Sequence, residues 1–282
     1  MSAPLDELLR IMRRLRDEQH GCPWDREQDF RSIAPSTLEE AYEVVDAIER
    51  GDAAQLKDEL GDLLFQVVFH AQMASELGHF DFDDVAAAIN DKLIRRHPHV
   101  FGDGAAADAR TQSLQWEALK AQERAAAAQG TPSELDGVAR SLPALTRAIK
   151  LSKRAARVGF DWDLPQQTAA KVAEELEEVL QAIGEAGGPE TSEHVFEEIG
   201  DLLFAAANLA RKVHVDAESA LRAANSKFER RFRHIEQALA RTGADIRQAR
   251  LEELEALWNE AKRLEGAQAA GPAGAPKAIP PA

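Results

Sequence analysis

The chain has 282 residues, a formal net charge of −15 and a single cysteine, Cys22, which excludes an intramolecular disulfide and favours a reducing, cytoplasmic location. This acidic balance argues against a nucleic-acid duplex as partner, because duplex binding draws on an excess of basic charge. The sequence has no apolar run of about 18 residues and no basic-then-apolar start, so we expect neither a membrane span nor a secretory signal.

The amino-acid usage predicts an all-α protein. Alanine, leucine, glutamate and arginine are frequent, tyrosine occurs once, and alternating β-branched runs between turns are missing. The length suits two domains of ordinary size, each large enough to have a core of its own.

A capping box at Ser36–Glu39 predicts the start of a first acidic helix, which ends at Gly51. Glu39, Glu40 and Glu43 lie beside its apolar stripe and span about a third of the circumference, so they are able to point into a cleft between helices. Considered alone, this helix is better explained by a cap at Glu39 and a solvated acidic face.

A second helix, Leu56–Met73, is apolar nearly all round, which predicts that it is buried. Within it Glu59, Asp62, Gln66 and His70 form one narrow polar strip. Burying an unpaired carboxylate costs several kcal/mol, so these acids need a cation, a proton or an arginine. A structural ion pair to lysine or arginine is the alternative to a metal ion.

The remainder of this half contains a basic helix and a tryptophan helix. Lys92, Arg95 and Arg96 are cations of the type that bind phosphate. Trp116 and Lys120 lie four residues apart on one helical face, where an indole is able to stack on a base while the ammonium reaches a phosphate. The alternative for the tryptophan is a place in the core.

The second half repeats the same motifs in the same order. The repeats are Glu174-Glu175-Leu-Glu-Glu178, Glu198-Ile-Gly-Asp201, Lys227-Phe-Glu-Arg230-Arg231 and Trp258-Asn-Glu-Ala-Lys262. We therefore predict two tandem copies of one four-helix domain at residues 1–124 and 138–265, joined by a linker at 125–137. Residues 266–282 are too poor in large apolar side chains to order themselves and are predicted to be a disordered tail.

Carboxylates that converge from two helices in each copy predict a metal site. Ligand sets made only of oxygen favour a hard cation, Mg²⁺, with Mn²⁺ as the alternative. The predicted ligands are Glu40, Glu43, Glu59 and Asp62 in the first copy and Glu175, Glu178, Glu198 and Asp201 in the second.

The doubled Glu-Glu-x-x-Glu and Glu-x-x-Asp motifs, with Cys22-Pro-Trp-Asp25, Arg95–Phe101 and Lys227–Phe232, resemble the MazG-type nucleoside triphosphate pyrophosphohydrolases. These belong to the all-helical NTP pyrophosphatase superfamily, and the likeness is to their tandem-domain bacterial form. It covers almost the whole chain except the tail. The resemblance implies Mg²⁺-dependent hydrolysis of nucleoside triphosphates to monophosphate and pyrophosphate by a homodimer whose four-helix units pair.

The resemblance also implies roles for particular residues, with hydrolysis placed in the C-terminal copy. Glu175, Glu178, Glu198 and Asp201 match catalytic metal ligands, and Glu174 matches a further acid that aids the attacking water. The positions that match substrate contacts are Lys227, Arg231, Trp258 and Lys262, with Lys92, Arg96, Trp116 and Lys120 as their N-terminal counterparts. Two departures between the copies are the longer connection Gly184–His194 and Ala205 in place of Gln66.

Two other classes of function remain open. One is a helical protein-interaction module in which the acidic strips form interhelical ion pairs. The other is a regulatory module that binds a nucleotide without turnover. A protein with one regulatory and one hydrolytic copy is also consistent with the sequence.

Overall fold

The structure is a computed structural model that describes residues 3–102, 108, 111–112, 116, 119, 133–185 and 193–269, with side chains described as far as residue 266. Within these ranges all regular secondary structure is helical and no strand is present, so the all-α prediction is confirmed. The chain divides into two compact units, Met1–Glu123 and Arg124–Ala282, called here the N-terminal copy and the C-terminal copy.

The described helices of the N-terminal copy are α1 (Ala3–Leu15), α2 (Pro23–Glu27), α3 (Phe30–Arg50), α4 (Ala53–Glu76), α5 (Phe82–Arg96) and α6 (Pro98–Phe101). Helices α3 and α4 form the main pair, and α1 and α5 pack against α4. Apolar side chains from α1, α3 and α4 form the core. They are Met12, Ile33, Val68, Phe69 and Met73. This core holds α3 against α4 and so determines where the acidic side chains of the two helices meet.

Helix α3 begins before the predicted capping box at Ser36–Glu39, which is therefore wrong. Asp29 is the N-cap: its carboxylate accepts a hydrogen bond from the backbone N–H of Ser32, whose hydroxyl accepts one from the Asp29 N–H at 2.9 Å. The pattern concealed this start because Pro35, which normally interrupts a helix, lies inside α3. The predicted end at Gly51 is confirmed, in the left-handed conformation with φ 69°.

The buried residues of α4 all lie between Gln66 and Ala74, which corrects the prediction that the whole helix is buried. Phe69 is fully buried, whereas Leu60, Leu64 and Val67 are exposed. The apolar residues near the acidic motif thus form a surface of the single chain. His70, at the end of the predicted polar strip, bonds through Nε2 to the Thr37 hydroxyl at 2.9 Å.

The described helices of the C-terminal copy are α7 (Ala144–Arg157), α8 (Pro165–Glu185), α9 (Glu193–Lys212), α10 (Ala217–Thr242) and α11 (Leu251–Ala269). Helix α9 packs against both α8 and α7, and α10 pairs with α11. Asp216 caps the start of α10 through the N–H of Ser219, and Gly243 ends it with φ 72°.

The predicted four helices per copy omitted α1, α2 and α7, which precede the acidic helices, and the short α6. The last helix runs to Ala269, past the predicted domain end at residue 265. The predicted linker and tail fall mainly outside the described residues. No helix in the described ranges has both the length and the apolar character needed to cross a membrane.

Candidate functional site

The acidic side chains of α3 and α4 meet in the N-terminal copy. Glu40, Glu43 and Glu59 place one carboxylate oxygen each within 4.8 Å of the others. Asp62 lies outside this group of three but is near enough that its charge acts on Glu40. Gln55 donates a hydrogen bond to Glu59 at 3.2 Å. The structure therefore brings together three of the four predicted ligands, with the fourth beside them.

Burial and mutual repulsion both act on the carboxylates of this N-terminal acidic group. Burial, followed by the charges of Asp62 and Glu59, raises the pKa of Glu40 above its ordinary value. The charge of Glu59 is the main cause that raises the pKa of Glu43. Carboxylates that resist ionisation together are a common sign that a cation or a proton belongs between them.

The C-terminal copy has the corresponding group on α8 and α9. Glu175, Glu198 and Asp201 place carboxylate oxygens within 4.8 Å of one another, and Glu175 is buried. Glu178 lies beside them: burial raises its pKa, the charge of Lys171 opposes this, and its hydrogen bond with Glu175 adds to the rise. This C-terminal acidic group again contains three of the four predicted ligands.

Lys171 is a member of the C-terminal site that the sequence pattern did not identify. Its Nζ lies 2.7 Å from Glu174, 2.8 Å from Glu175 and 3.9 Å from Glu178. Hydrogen bonds to Glu174 and Glu175 hold the pKa of Lys171 far above its usual range. The spacing of three and four residues along one helix is the signal that would have found it.

His194 is a second neighbour that the sequence analysis missed. Its Nε2 lies 3.1 Å from a carboxylate oxygen of Glu198, four residues later on α9, and its Nδ1 lies 3.8 Å from Glu185. It thereby stands at the edge of the acidic group, at the start of α9. Most of the longer connection noted between Gly184 and His194 falls outside the described residues.

A cavity of about 610 Å³ adjoins the C-terminal acidic group. Glu175, Asp201 and Lys171 are in its wall, so the cavity and the carboxylates form one continuous site. The rest of the wall comes mainly from α7, α9 and the segment before α8. Its members include Leu151, Ser152, Phe160, Trp162, Phe204 and Asn208. A mainly apolar cavity with a few polar groups at its ends is typical of a small-molecule site.

The predicted substrate residues of α10 and α11 are absent from the cavity wall, and two of them, Arg231 and Trp258, contact each other. The Arg231 guanidinium bonds to Glu265 at 2.8 Å and lies 5.4 Å from the centre of the Trp258 ring. Lys227 and Lys262 are exposed. Trp258 is therefore half-buried and in contact with a cation. This is intermediate between the two roles left open by the sequence, which are stacking on a base and packing in the core.

In the N-terminal copy, the corresponding tryptophan is fixed to the end of the basic helix. Trp116 donates a hydrogen bond from Nε1 to the backbone oxygen of Arg96 at 2.8 Å. Lys92 is exposed and Arg96 is half-buried. Lys120 lies outside the described residues.

Comparison with known proteins matches the segments that carry both acidic groups. The sequence model of one family, described as the MazG nucleotide pyrophosphohydrolase domain, matches residues 28–101 and again residues 164–236. The chain therefore belongs to the MazG family, with the domain present twice. These two segments contain α3 to α6 and α8 to most of α10.

Relatives from two bacteria are similar over nearly the whole length. A protein of Escherichia coli named nucleoside triphosphate pyrophosphohydrolase is 53% identical over 261 residues, covering 93% of this chain and 98% of that protein. A protein of Thermotoga maritima named nucleoside triphosphate pyrophosphohydrolase/pyrophosphatase MazG is 42% identical over 257 residues, covering 91% of this chain and 95% of that protein.

Proposed function

We propose that the chain hydrolyses nucleoside triphosphates to nucleoside monophosphate and pyrophosphate, so that water is added across the bond between the α and β phosphates. The observation that carries this proposal is the continuity between the C-terminal acidic group and a cavity of about 610 Å³. The names of the two relatives support the same reaction.

The acidic groups suit a hard divalent cation, which we propose to be Mg²⁺, with Mn²⁺ as the alternative. The donors are all carboxylate oxygens. Burial is the main cause of the raised pKa values of Glu40 and Glu178, and the charge of Glu59 is the main cause for Glu43. A bound cation would favour the ionised form of all three. Glu175, Glu178, Glu198 and Asp201 would hold the ion in the C-terminal copy, and Glu40, Glu43, Glu59 and Asp62 in the N-terminal copy. A bound ion of this kind acidifies water and neutralises phosphate oxygens.

Two further residues are proposed to act on the attacking water and on the triphosphate. Glu174 is half exposed beside the acidic group, where we propose that it orients the attacking water. The ammonium of Lys171 already lies among carboxylates and is able to turn toward an incoming triphosphate. Both residues lie on α8, which gives them a fixed spacing from the buried Glu175.

The basic and aromatic residues predicted for substrate binding are proposed to hold the outer part of the nucleotide. The pairing of Arg231 with Trp258 supports this, since a cation stacked on an indole forms one recognition surface. The corresponding residues of the N-terminal copy, Lys92, Arg96 and Trp116, are proposed to serve a regulatory or structural role there.

A homodimer is proposed from apolar side chains that the single chain leaves exposed. Leu176, Leu180 and Ile183 follow one face of α8 and are each about half exposed. Burial of such a stripe against a second copy would contribute about 25 cal/mol for each Å² removed from water. We expect a dimer in analytical ultracentrifugation, and a monomer when Leu180 is replaced by Glu. A monomeric wild type at micromolar concentration would contradict this.

A cytoplasmic location is proposed on the single cysteine.

The decisive experiment measures pyrophosphate release from a panel of nucleoside triphosphates, with and without Mg²⁺. We expect Glu178→Ala to reduce turnover by about 100-fold, since it removes a proposed ligand of the ion that neutralises the phosphate oxygens. The counterpart in the other copy, Glu43→Ala, reports whether that copy also turns over substrate. Full activity in both variants would contradict the site assignment.

A helical module without turnover is the second candidate, and the ion pairs of Lys171 with Glu174 and Glu175 favour it. Such pairs would satisfy the acids without a metal. In that case Mg²⁺ should not raise the melting temperature, and wild type should release no pyrophosphate from any member of the panel.

A further inference from the structure

The wall of the cavity in the C-terminal copy contains both aromatic side chains and polar groups, which are suited to different parts of a ligand. Phe160, Trp162 and Phe204 contribute rings to the wall. Phe160 is 83% exposed, an unusual position for a phenyl ring unless something covers it. A volume of about 610 Å³ exceeds the needs of a planar base, and such a base would gain stacking and burial between these rings.

One polar group of the wall is Asn208, which is 7% exposed and therefore more than nine-tenths buried. Its Oδ1 accepts a hydrogen bond from Arg211 Nε at 2.8 Å, and the same guanidinium donates through Nη2 to Asp161 at 2.6 Å. Since the amide oxygen is occupied, the amide N–H₂ is the group left for the cavity. It has no acceptor within the part of the chain that the structure describes.

Ser152 lies in the same wall and has the complementary character. Its hydroxyl donates to the backbone oxygen of Ala148 at 2.9 Å, so its oxygen is left to accept. The cavity thus offers a donor from Asn208 and an acceptor from Ser152. Because the positive charge of Arg211 adjoins Asn208, a carbonyl oxygen is favoured beside it and an exocyclic amino group is disfavoured.

The N-terminal copy shows that the fold does not require this polar pair. When the two copies are aligned on Glu59 and Glu198, Phe69 is equivalent to Asn208, and Gln72 is equivalent to Arg211. Phe69 is fully buried in the core beside Met12. A buried asparagine in place of a core phenylalanine lowers the apolar burial of the C-terminal copy, so its presence is better explained by a ligand than by folding.

We infer that this cavity receives the nucleobase and that Asn208, positioned by Arg211, makes it prefer keto bases, which carry a ring carbonyl next to an N–H, over the corresponding amino bases. The inference rests on the proposed function, because it assigns the base of the same triphosphate substrate. Hypoxanthine, guanine, uracil and thymine are the favoured class; adenine and cytosine are disfavoured.

The test compares nucleotides that differ only by an amino group or a carbonyl at one ring position. We expect kcat/KM of the full-length chain at saturating Mg²⁺ to be about tenfold higher for ITP than for ATP, and for UTP than for CTP, as one net hydrogen bond would give. Asn208→Leu should bring both ratios near one. Asn208→Asp keeps the size and the contact with Arg211 but removes the donor, so the ratios should fall below one.

Asn90→Leu, which removes an exposed asparagine from α5, is the matched control and should leave the ratios unchanged. Thermal unfolding of each variant verifies that it folds. If Asn208→Leu does not fold, Asn208→Asp still provides the test. Equal kcat/KM within each wild-type pair, or wild-type ratios in both Asn208 variants, would overturn the inference. A wild type that releases pyrophosphate from none of the four nucleotides would instead overturn the proposed function.

Discussion

One turn before the acidic motif of α3 the N-terminal copy has Ser36, whereas the C-terminal copy has Lys171 at the same register of α8. The N-terminal acidic group therefore has no lysine at this position, and the pKa of Glu43 rises mainly through repulsion from Glu59. In the C-terminal copy the lysine bonds to Glu175 at 2.8 Å. The same carboxylate pattern thus exists in one copy with a built-in cation and in the other without it.

The helices behind the two acidic groups differ in the same direction. At one register of α4 and α9 the N-terminal copy has Gln66 and the C-terminal copy has Ala205, which lines the cavity. At the position equivalent to Asn208 of the C-terminal copy, the N-terminal copy has the buried Phe69. The N-terminal copy has filled its interior where the C-terminal copy keeps space beside its carboxylates. The same acidic motif therefore occurs beside different interior side chains in the two copies.

Filling the C-terminal cavity should have the largest effect. Ala205→Gln places the N-terminal side chain into the cavity wall, and we expect KM for all nucleoside triphosphates to rise about 100-fold, the loss expected when a base can no longer be buried and stacked. The reverse change, Gln66→Ala, should leave turnover unaltered. Steady-state kinetics with pyrophosphate detection measures both, and an unchanged KM for Ala205→Gln would show that the base does not enter this cavity.

The segment that contributes Phe160 and Trp162 to the cavity is held to α9 by Asp161. Its carboxylate lies 2.6 Å from Arg211 and 3.1 Å from Lys212. Burial raises the pKa of Asp161, but the hydrogen bonds from Arg211 and Lys212 outweigh burial, and its pKa lies below the ordinary value. Such a group contributes stability at a pH above its unfolded pKa, which is lost as the pH falls through the folded pKa.

Asp161→Asn should therefore lower the free energy of unfolding by about 2 kcal/mol at pH 7, the size expected for charge-assisted hydrogen bonds. The difference from wild type should shrink as the pH falls below about 4. Urea unfolding at a series of pH values measures this, with the exposed neighbour change Asp163→Asn as control. A difference that stays constant down to pH 2 would show that the carboxylate charge is not the cause.

Lys171, the cation of the C-terminal acidic group, can be removed by substitution, and a lysine can be introduced at the equivalent position of the N-terminal copy. Lys171→Gln, in a Glu40→Gln background that disables the other group, should raise Mg²⁺ affinity about tenfold without nucleotide, because the lysine competes with the metal for the same carboxylates. Ser36→Lys, in a Glu175→Gln background, should lower Mg²⁺ affinity by a similar factor. Calorimetric titration measures both affinities. Opposite signs from these would mean that the lysine helps to hold the metal.

Much of this organisation was predictable because helix periodicity and repeated motifs are local properties of the sequence. The pairing of Glu175 with Glu198 and Asp201 followed from two acidic stripes on helices that pack together. The cavity was not predictable, since it depends on how α7 and the segment around Phe160 lie against α9. Asn208 was visible as a polar residue, but its role depends on contacts that no spacing rule reveals.

The smallest effect concerns a core position at which the C-terminal copy has a hydroxyl group and the N-terminal copy an apolar side chain. The register of the acidic helices pairs Thr168 with Ile33. Thr168 is fully buried, and its hydroxyl oxygen has no hydrogen-bond partner in the described part of the chain. Thr168→Val keeps the shape and removes the unpaired hydroxyl, so the free energy of unfolding should rise by about 1 kcal/mol.

Thr37→Val is the matched comparison in the N-terminal copy, where the hydroxyl bonds to His70 at 2.9 Å. Because this change removes a made hydrogen bond and leaves the imidazole without its partner, the free energy of unfolding should fall by about 1 kcal/mol. Urea unfolding of the two variants at pH 7 therefore gives opposite signs for the same chemical change. A loss of stability in Thr168→Val would mean that its hydroxyl is hydrogen-bonded in solution, as the Thr37 hydroxyl is to His70.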